Sequence, residues 1–298
     1  ACYVAKDRGR NQIHVYEMKD SELARHRGEM QWVARIQHAL EEKRLVLYWQ
    51  EIRRIDAVPG DGCHVEMLLR MRADDGSLIP PMAFIPAAER YAVMPAIDSW
   101  VVEESLRLCQ LKLAGGGREM LFGVNLSGAS LKDPEFRQRL LARLAENPEC
   151  GPNLCFEVTE TAAIGNLATV NAFIGAMKGY GCKFALDDFG SGLSSFSYLK
   201  NLAVDFLKID GAFVHDMVGN EIDRAMVDAI HRIGHQMGLA TVAEFVGSEA
   251  TLAALREIGV DFAQGDAVRK PEPVEELARW LAAGAQPGCA PKPASTTA

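Results

Sequence analysis

Residues 183–210 read KFALDDFGSGLSSFSYLKNLAVDFLKID, and this segment decides the fold that the sequence predicts. A short apolar run ends in two aspartates, Asp187 and Asp188, and a loop with two glycines follows it. A second apolar run carries Lys208 and is followed directly by Asp210. Both runs have the length and composition of buried β-strands. The segment therefore predicts two strands that each deliver ionisable side chains where the strand ends.

The same alternation of short β-rich runs with helical segments extends in both directions from this segment. We predict eight strands, at Leu45–Gln50, His64–Arg70, Leu121–Asn125, Leu154–Thr159, Lys183–Leu186, Phe206–Ile209, Ala240–Ala243 and Phe262–Gln264. Eight strands interleaved with helices favour a closed barrel over an open sheet, and 298 residues suit one such barrel with short extensions. The sequence therefore predicts an α/β protein with a (β/α)8 barrel of the TIM type.

The two ends of the chain do not follow this alternation. Residues 1–19 contain a strand-like stretch without an evident partner, and we interpret them as the end of a preceding domain. Apolar residues at helical spacing then predict a linker helix over residues 20–43. The barrel is expected to occupy residues 44–284. Residues 285–298 lack periodicity and large apolar side chains, which is typical of a disordered tail.

Composition restricts the class of protein. A chain that is 48% apolar and 24% charged is typical of a globular protein with a sizeable core. No apolar run approaches the roughly 18 residues of a membrane-spanning helix, and no signal segment opens the chain. We therefore expect a cytoplasmic location without membrane contact from this fragment, while a longer parent can carry an anchor in N-terminal regions. The seven cysteines include no C-x-x-C pair, which indicates reduced thiols.

The net charge of −8 argues against duplex nucleic acid as a partner. Reactive side chains of a (β/α) barrel collect where the strands end at one mouth. Seven of the predicted strands carry polar groups there, namely Glu66, Asn125, Glu157 with Glu160, Asp187 with Asp188, Lys208 with Asp210, Glu244 and Gln264. Because so many carboxylates in one cavity repel each other, they require protons or metal ions.

The chemistry of these side chains indicates which metal they suit. The set is rich in oxygen and contains no cysteine or histidine, so it suits Mg²⁺ or Mn²⁺ better than zinc. Asp187 can bridge two ions about 4 Å apart, as in phosphoryl hydrolysis by two metals. Lys208 can position or deprotonate a water and stabilise charge on a phosphate. Any phosphate substrate of this acidic chain thus implies divalent cations.

Each of these residues also has a simpler interpretation. Glu66 can face solvent, Asp188 can cap a helix, and Lys208 can extend its charged end to the surface. The convergence of the whole set argues against these alternatives. His231 and His235 lie four residues apart on a predicted helix and resemble a metal pair, but no third ligand is evident, so we expect exposure on an outer helix.

In this order and at these strand ends, the residues resemble the EAL family of cyclic di-GMP phosphodiesterases over roughly residues 30–284. The matching pieces are Glu66-Met67-Leu68-Leu69-Arg70, Phe84-Ile85-Pro86-Ala87-Ala88-Glu89, Asn125-Leu126-Ser127, Glu157-Val158-Thr159-Glu160, Asp187-Asp188-Phe189-Gly190, Lys208-Ile209-Asp210, Ala243-Glu244-Phe245-Val246 and Gln264-Gly265. In the EAL variant of the barrel, the first strand can be antiparallel to the others, and the sequence does not decide its direction. Residues 5–11 with Tyr16 resemble the last strand of a GGDEF, or diguanylate cyclase, domain, so the parent is expected to be a tandem GGDEF–EAL protein.

The resemblance implies the hydrolysis of cyclic di-GMP to linear 5′-pGpG with two Mg²⁺ or Mn²⁺ ions, by a protein that dimerises with a second copy. It implies a metal site made by Glu66, Asn125, Glu157 and Asp187, with Asp187 and Asp188 serving a second ion. The implied catalytic residues are Lys208, Glu66 and Glu244, and the implied substrate-binding residues are Gln50, Leu68, Arg70, Asp210 and Gln264. Glu160 and Ser191 would stabilise the loop after Asp188.

Three residues depart from the family pattern. Met67 replaces an alanine, but its side chain alternates away from Glu66 and is expected to matter little. Gly247 stands where a second glutamate is common, and Asp266 where an aromatic residue is common. The last two predict poorer substrate affinity with retained activity.

Two other functions stay open at this point. The first alternative is a receptor that binds cyclic di-GMP without cutting it. The second is an aldolase that uses Lys208 as a Schiff-base nucleophile, which the surrounding carboxylates disfavour because they raise the pKa of its amine.

Overall fold

The computed structural model describes residues 20–57, 62–116, 119–165, 167–190 and 198–283. The strands are β1 (Leu45–Arg54), β2 (Cys63–Arg72), β3 (Leu78–Ile79), β4 (Met120–Asn125), β5 (Leu154–Thr159), β6 (Lys183–Phe189), β7 (Phe206–Ile209), β8 (Ala240–Ala243), β9 (Phe262–Gln264) and β10 (Glu272–Pro273). The helices are α1 (Asp20–Glu41), α2 (Ile85–Arg90), α3 (Met94–Gly115), α4 (Gly128–Lys132), α5 (Pro134–Glu146), α6 (Glu160–Ile164), α7 (Leu167–Lys178), α8 (Gly211–Asp216), α9 (Glu221–Gln236), α10 (Glu249–Ile258) and α11 (Val274–Ala282).

Eight of these strands close into a ring, in the order β1, β9, β8, β7, β6, β5, β4 and β2. This arrangement confirms the predicted (β/α)8 barrel. The two-residue strands β3 and β10, which the sequence did not indicate, pair with β2 and β1 outside the ring. Within the described residues, no helix combines the length and the apolar character needed to cross a membrane.

The first strand runs against the others. Strands β2 and β4 to β9 are parallel to one another, whereas β1 is antiparallel to both β2 and β9. Residues 55–62 alone connect β1 with β2, and parallel strands need a crossover of about a dozen residues or more. The short connection therefore fixes the antiparallel direction that the EAL variant of the barrel left open.

A local irregularity in β6 places both aspartates of the opening segment. The strand continues to Phe189 instead of ending at Leu186, so Asp187 and Asp188 lie inside it. Asp188 has a φ of 54°, and the pairing with β7 changes register between Leu186 and Phe189. A regular strand would send the two aspartates to opposite faces, but the irregularity lets both line one cavity.

Alternation along β2 separates the core from the mouth of the barrel. Val65 and Met67 are buried in the hydrophobic core, while Glu66 and Leu68 line the cavity at the mouth. Met67 therefore points away from the site, as expected. The linker helix ends at Glu41, two residues before the predicted boundary. The segments interpreted as the GGDEF remnant and the C-terminal tail lie outside the described residues, and the division into domains stays a prediction.

Helix α3 carries a buried aspartate that ties it to the barrel. Asp98 Oδ2 accepts hydrogen bonds from the backbone N–H of Ser127 at 2.9 Å and from Ser130 Oγ at 2.6 Å. Burial raises the pKa of Asp98 to about 6 from an ordinary value of 3.8, although both hydrogen bonds lower it. The folded protein thus binds a proton at Asp98 more tightly than the unfolded chain does.

We expect the ionisation of Asp98 to lower the stability of the folded protein as the pH rises from about 4 to about 6. The contribution of Asp98 to the free energy of unfolding is largest below the unfolded pKa. It declines by up to about 3 kcal/mol between about pH 4 and pH 6 and is constant above about pH 6. Asp98→Asn keeps the acceptor oxygen and removes this decline. Urea unfolding of both proteins from pH 4 to pH 7 measures the difference, and parallel pH profiles would contradict the expectation.

Candidate active site

Lys208 lies at the centre of the barrel mouth with four carboxylates around it. The side chain is 1% exposed. Its Nζ is 2.5 Å from Glu157 Oε2, 2.8 Å from Glu244 Oε1, 3.1 Å from Asp187 Oδ1 and 3.3 Å from Glu66 Oε2. Glu157, Asp187 and Glu66 lie on β5, β6 and β2, and Glu244 directly follows β8. The structure thus brings together the acidic residues and the lysine that the sequence singled out.

Amide side chains hold the carboxylate of Glu66 from both sides. Asn125 Nδ2 donates to Glu66 Oε1 at 2.7 Å, and Gln264 Nε2 donates to Glu66 Oε2 at 2.7 Å. Gln264 Nε2 also lies 3.1 Å from Gln50 Oε1, and Gln50 Nε2 donates to the carbonyl of Arg269 at 2.8 Å. The network orients Glu66 and connects it to β1 and β9.

Strand register explains why these side chains meet. Asn125 pairs with Glu157 across β4 and β5, and Gln50 pairs with Glu66 across β1 and β2. Gly123 stands opposite Glu66, and a Cβ atom at Gly123 would overlap Glu157 Oε1. The sequence analysis missed this glycine. A glycine inside a strand is a recognisable signal of close approach by another group.

Burial and mutual repulsion change the pKa values of the ionisable groups around Lys208. Burial, followed by the charges of Glu66 and Asp187, raises the pKa of Glu157 well above its ordinary value. Burial also raises the pKa of Glu244 to about 8, against the attraction of Lys208. Burial alone would lower the pKa of Lys208, but the four carboxylates outweigh it and raise that pKa well above 10.5. One ammonium is therefore too little positive charge for this set of acids.

The donor atoms fit divalent cations. Glu157 Oε1 is buried and has no hydrogen-bond partner among the described residues, and the same holds for Gln264 Oε1. Oxygen atoms of Asp187, Asp188 and Glu244 lie within 4.8 Å of one another, which is close enough for a common ion. All of these donors are oxygens, as Mg²⁺ and Mn²⁺ prefer. The acidic cluster is thus able to hold hard divalent metal ions.

The cluster forms the floor of a cavity of about 620 Å³. Its lining comprises Gln50, Glu66, Leu68, Arg70, Asp187, Asp188, His215, Glu244, Phe245, Gly247, Gln264, Gly265, Asp266 and Pro271. The guanidinium of Arg70 lies over the ring of Tyr48, 5.5 Å from its centroid. The sequence analysis assigned no role to His215, Phe245 or Pro271. His215 lies near the end of α8, and Phe245 and Pro271 lie in connections whose course the strand pattern does not define.

The remaining predicted residues lie around this cavity. Asp210 does not line it, and its carboxylate accepts from the Ala212 backbone N–H at 2.8 Å, at the start of α8. Its role in substrate binding stays a prediction. Glu160 is buried, and its Oε2 lies 3.4 Å from the backbone nitrogen of Gly190, where it can support the chain after β6. Ser191 lies outside the described residues.

The histidine pair on α9 agrees with the sequence analysis only in part, because His235 is exposed as expected and His231 is not. His231 is buried, not exposed, because Thr241 on β8 packs against it with its Oγ1 2.9 Å from Nδ1. His235 Nε2 lies 2.9 Å from Asp261 Oδ2, which also accepts from the backbone N–H and hydroxyl of Thr241. These hydrogen bonds join α9 to the barrel, and we interpret the pair as structural.

Comparison with known proteins agrees with the fold and with the motifs. The chain is 38% identical over 274 residues to cyclic di-GMP phosphodiesterase PdeB of Shewanella oneidensis, covering 92% of this chain and 32% of that protein. It is 34% identical over 240 residues to cyclic di-GMP phosphodiesterase PdeF of Escherichia coli, covering 80% of this chain and 32% of that protein. The chain therefore spans about a third of the length of these curated relatives.

Two solved structures resemble the barrel closely. One is the PaMucR phosphodiesterase in complex with c-di-GMP, with a TM-score of 0.77, 32% identity, and coverage of 83% of this chain and 99% of that one. The other is the EAL domain of FimX from Pseudomonas aeruginosa bound to c-di-GMP, with a TM-score of 0.73, 27% identity, and coverage of 81% and 96%. A sequence model of the EAL domain matches residues 33–271, most of the barrel. The chain belongs to the EAL domain family.

Proposed function

We propose that this chain hydrolyses cyclic di-GMP to linear 5′-pGpG with two divalent ions, Mg²⁺ or Mn²⁺. The observation that carries the proposal is the convergence of Glu66, Glu157, Asp187 and Glu244 on Lys208 at the mouth of the barrel. The names of PdeB and PdeF as cyclic di-GMP phosphodiesterases support it. So does the c-di-GMP bound in the PaMucR structure.

The acidic cluster supplies the ligands for both ions. Glu66, Asn125, Glu157 and Asp187 would hold the first ion, and Asp187 with Asp188 would hold the second. When bound, the ions supply Lewis-acid activation of the phosphodiester and of the attacking water. The buried Glu157 Oε1 has no hydrogen-bond partner among the described residues. It is therefore the ligand atom that we expect to gain most from a bound cation.

Protein side chains would position the water and the substrate. Lys208 carries a proton in its acidic surroundings, so its ammonium can donate hydrogen bonds to the water and stabilise charge on the phosphate. Glu244, beside Lys208, would orient the same water or the second ion. Gln50, Leu68 and Gln264 would hold the ligand along β1, β2 and β9. Arg70 would contact a phosphate through a charge-assisted hydrogen bond.

Two residues of the cavity lining affect the enzyme and the receptor alike. Gly247 lacks the carboxylate, and Asp266 lacks the aromatic ring, that the family commonly has at these positions, so both favour weaker ligand binding. The full set of acids with Lys208 favours the enzyme. The raised pKa of Lys208 keeps its amine protonated and disfavours the aldolase.

We expect the purified chain to convert cyclic di-GMP to pGpG when Mg²⁺ or Mn²⁺ is present. Because the phosphodiester needs Lewis-acid activation, excess EDTA is expected to lower the rate by at least about 100-fold, and added Mn²⁺ to restore it. Chromatography of the nucleotide products measures both. Tight binding of cyclic di-GMP without formation of pGpG would contradict the hydrolase and favour the receptor.

We also propose that the protein acts as a homodimer in the cytoplasm, as the resemblance to the family implies. Sedimentation equilibrium of the chain measures its mass in solution. A monomer at all concentrations would contradict the dimer while leaving the proposed hydrolysis untouched.

A further inference from the structure

One aromatic side chain at the mouth of the barrel is placed where hydrophobic burial does not explain it. Phe245 follows β8 directly after Glu244, and 69% of it is exposed. Its φ is 52°, in the left-handed region that residues with a Cβ rarely adopt. An exposed phenylalanine in a strained conformation gains little from folding. Strain of this kind is concentrated at ligand-binding sites.

The surrounding backbone holds Phe245 in this conformation. Glu244 N–H donates to the carbonyl of Ile209 at 3.4 Å, and Val246 N–H donates to the carbonyl of Gln264 at 2.9 Å. The chain on either side of Phe245 is therefore attached to β7 and to β9. A Cβ atom at Gly211 would overlap the phenyl ring, so the ring packs directly on the first residue of α8. The ring is supported before any ligand arrives.

Phe245 lines the cavity at a different strand from the predicted ligand-binding residues of β2. The ring lines the same cavity as Leu68 and Arg70. Those two residues lie on β2, which is three strands away around the barrel from β8, with β1 and β9 between them. The carboxylates of Glu66, Asp187, Asp188 and Glu244 line the same cavity. Cyclic di-GMP carries one guanine on each side of its phosphodiester ring, so a base beyond the metal cluster would reach the β8 side.

Among the described residues that line the cavity on the β8 and β9 side, no other side chain offers a flat hydrocarbon surface. Asp266, where the family commonly has an aromatic residue, presents a carboxylate, and Gly247 presents no side chain. Phe245 is the only phenylalanine, tyrosine or tryptophan among the described residues that line the cavity. Phe245 therefore supplies this lining with an aromatic ring, which residue 266 does not provide.

We propose that Phe245 is the platform on which one guanine base of cyclic di-GMP stacks, in place of an aromatic residue at 266. The inference rests on the proposed function for the identity of the ligand. Aromatic stacking on a base is present in the bound substrate and changes little in the transition state. Phe245 therefore determines substrate affinity and contributes little to the chemical step.

The test compares the kinetics of four variants with the natural protein. We expect Phe245→Ala to raise KM for cyclic di-GMP by about 10-fold and to leave kcat within about threefold, because stacking on an aromatic ring contributes similarly to other base-binding sites. Phe245→Trp should restore KM to within about threefold. Phe245→Leu keeps the apolar volume without the aromatic face and should behave like Phe245→Ala. Phe245→Gly removes the ring together with the strain, and should raise KM without loss of stability.

Several outcomes would overturn the inference. These are a KM of Phe245→Ala within twofold of the natural protein, a Phe245→Leu variant with unchanged KM, or a fall in kcat without a change in KM. Loss of dimerisation in Phe245→Ala with unaltered ligand affinity would assign the ring to a contact between copies instead. Calorimetric titration of EDTA-treated protein with cyclic di-GMP measures the platform without turnover, so failure of the hydrolysis does not decide the stacking.

Discussion

Lys208→Met is expected to lower kcat for cyclic di-GMP by at least about 100-fold, because it removes the one ammonium that, among the described residues, contacts the four acids and that would position the attacking water. The same change is expected to destabilise the metal-free protein by about 3–5 kcal/mol, since it leaves buried carboxylates without their cation. The raised pKa of Lys208 means that this stabilisation is complete at neutral pH and is lost only as the pH rises through the folded pKa.

Saturating Mn²⁺ should return most of the lost stability to Lys208→Met but not its activity, because the ions offset the repulsion and cannot replace the hydrogen-bond donor. Urea unfolding with and without Mn²⁺, together with the hydrolysis assay, separates the two effects. Lys178→Met is the matched control. Its ammonium pairs with Asp205 at 3.0 Å in a partly exposed position, so the change is expected to cost under about 1 kcal/mol and leave kcat unaltered. Equal loss in both variants would contradict the account.

Glu157→Gln is expected to lower kcat/KM by about 1,000-fold, because it removes the charge of a side chain that we propose as a central metal ligand while keeping its shape. Unlike the lysine variant, it should not destabilise the metal-free protein by more than about 1 kcal/mol. Burial and the neighbouring Glu66 already raise the pKa of Glu157, so a neutral side chain relieves repulsion. Titration of Mn²⁺ into the variant measures the loss of metal affinity directly.

Glu51→Gln is the matched control for this variant. Glu51 is as buried as the site acids, but it pairs with Arg53 at 2.8 Å and with Arg269 at 3.2 Å, and it does not line the cavity. The Glu51→Gln variant should lose stability, because Arg53 and Arg269 each lose one charged partner, and keep its Mn²⁺ affinity. A Glu157→Gln protein with unaltered metal affinity and activity would remove Glu157 from the metal site.

The strands and the central site were predictable because their signals are local. Each strand is a short apolar run, and the C-terminal ends of barrel strands share one mouth, so Glu66, Glu157, Asp187 and Lys208 were expected together before any contact was known. The observed distances around Lys208 agree with that expectation. The metal roles of these residues stay predictions until ions are measured.

Features that depend on contacts between different elements were not predictable in this way. The irregular backbone at Asp188, the burial of His231 against Thr241, and the space that Gly123 leaves for Glu157 each depend on how separate elements pack. The same is true of Phe245, whose left-handed backbone depends on hydrogen bonds to β7 and β9. Local patterns report on burial along one strand and contain no information on these partners.

Anomalous diffraction from crystals of the chain soaked in Mn²⁺ tests the central claim most directly. The account predicts two strong peaks at the mouth of the barrel, one among Glu66, Asn125, Glu157 and Asp187 and the other beside Asp187 and Asp188. The first of them should be absent from crystals of Glu157→Gln. No peak at the mouth under saturating Mn²⁺, or peaks only at acids on the outer surface, would contradict it.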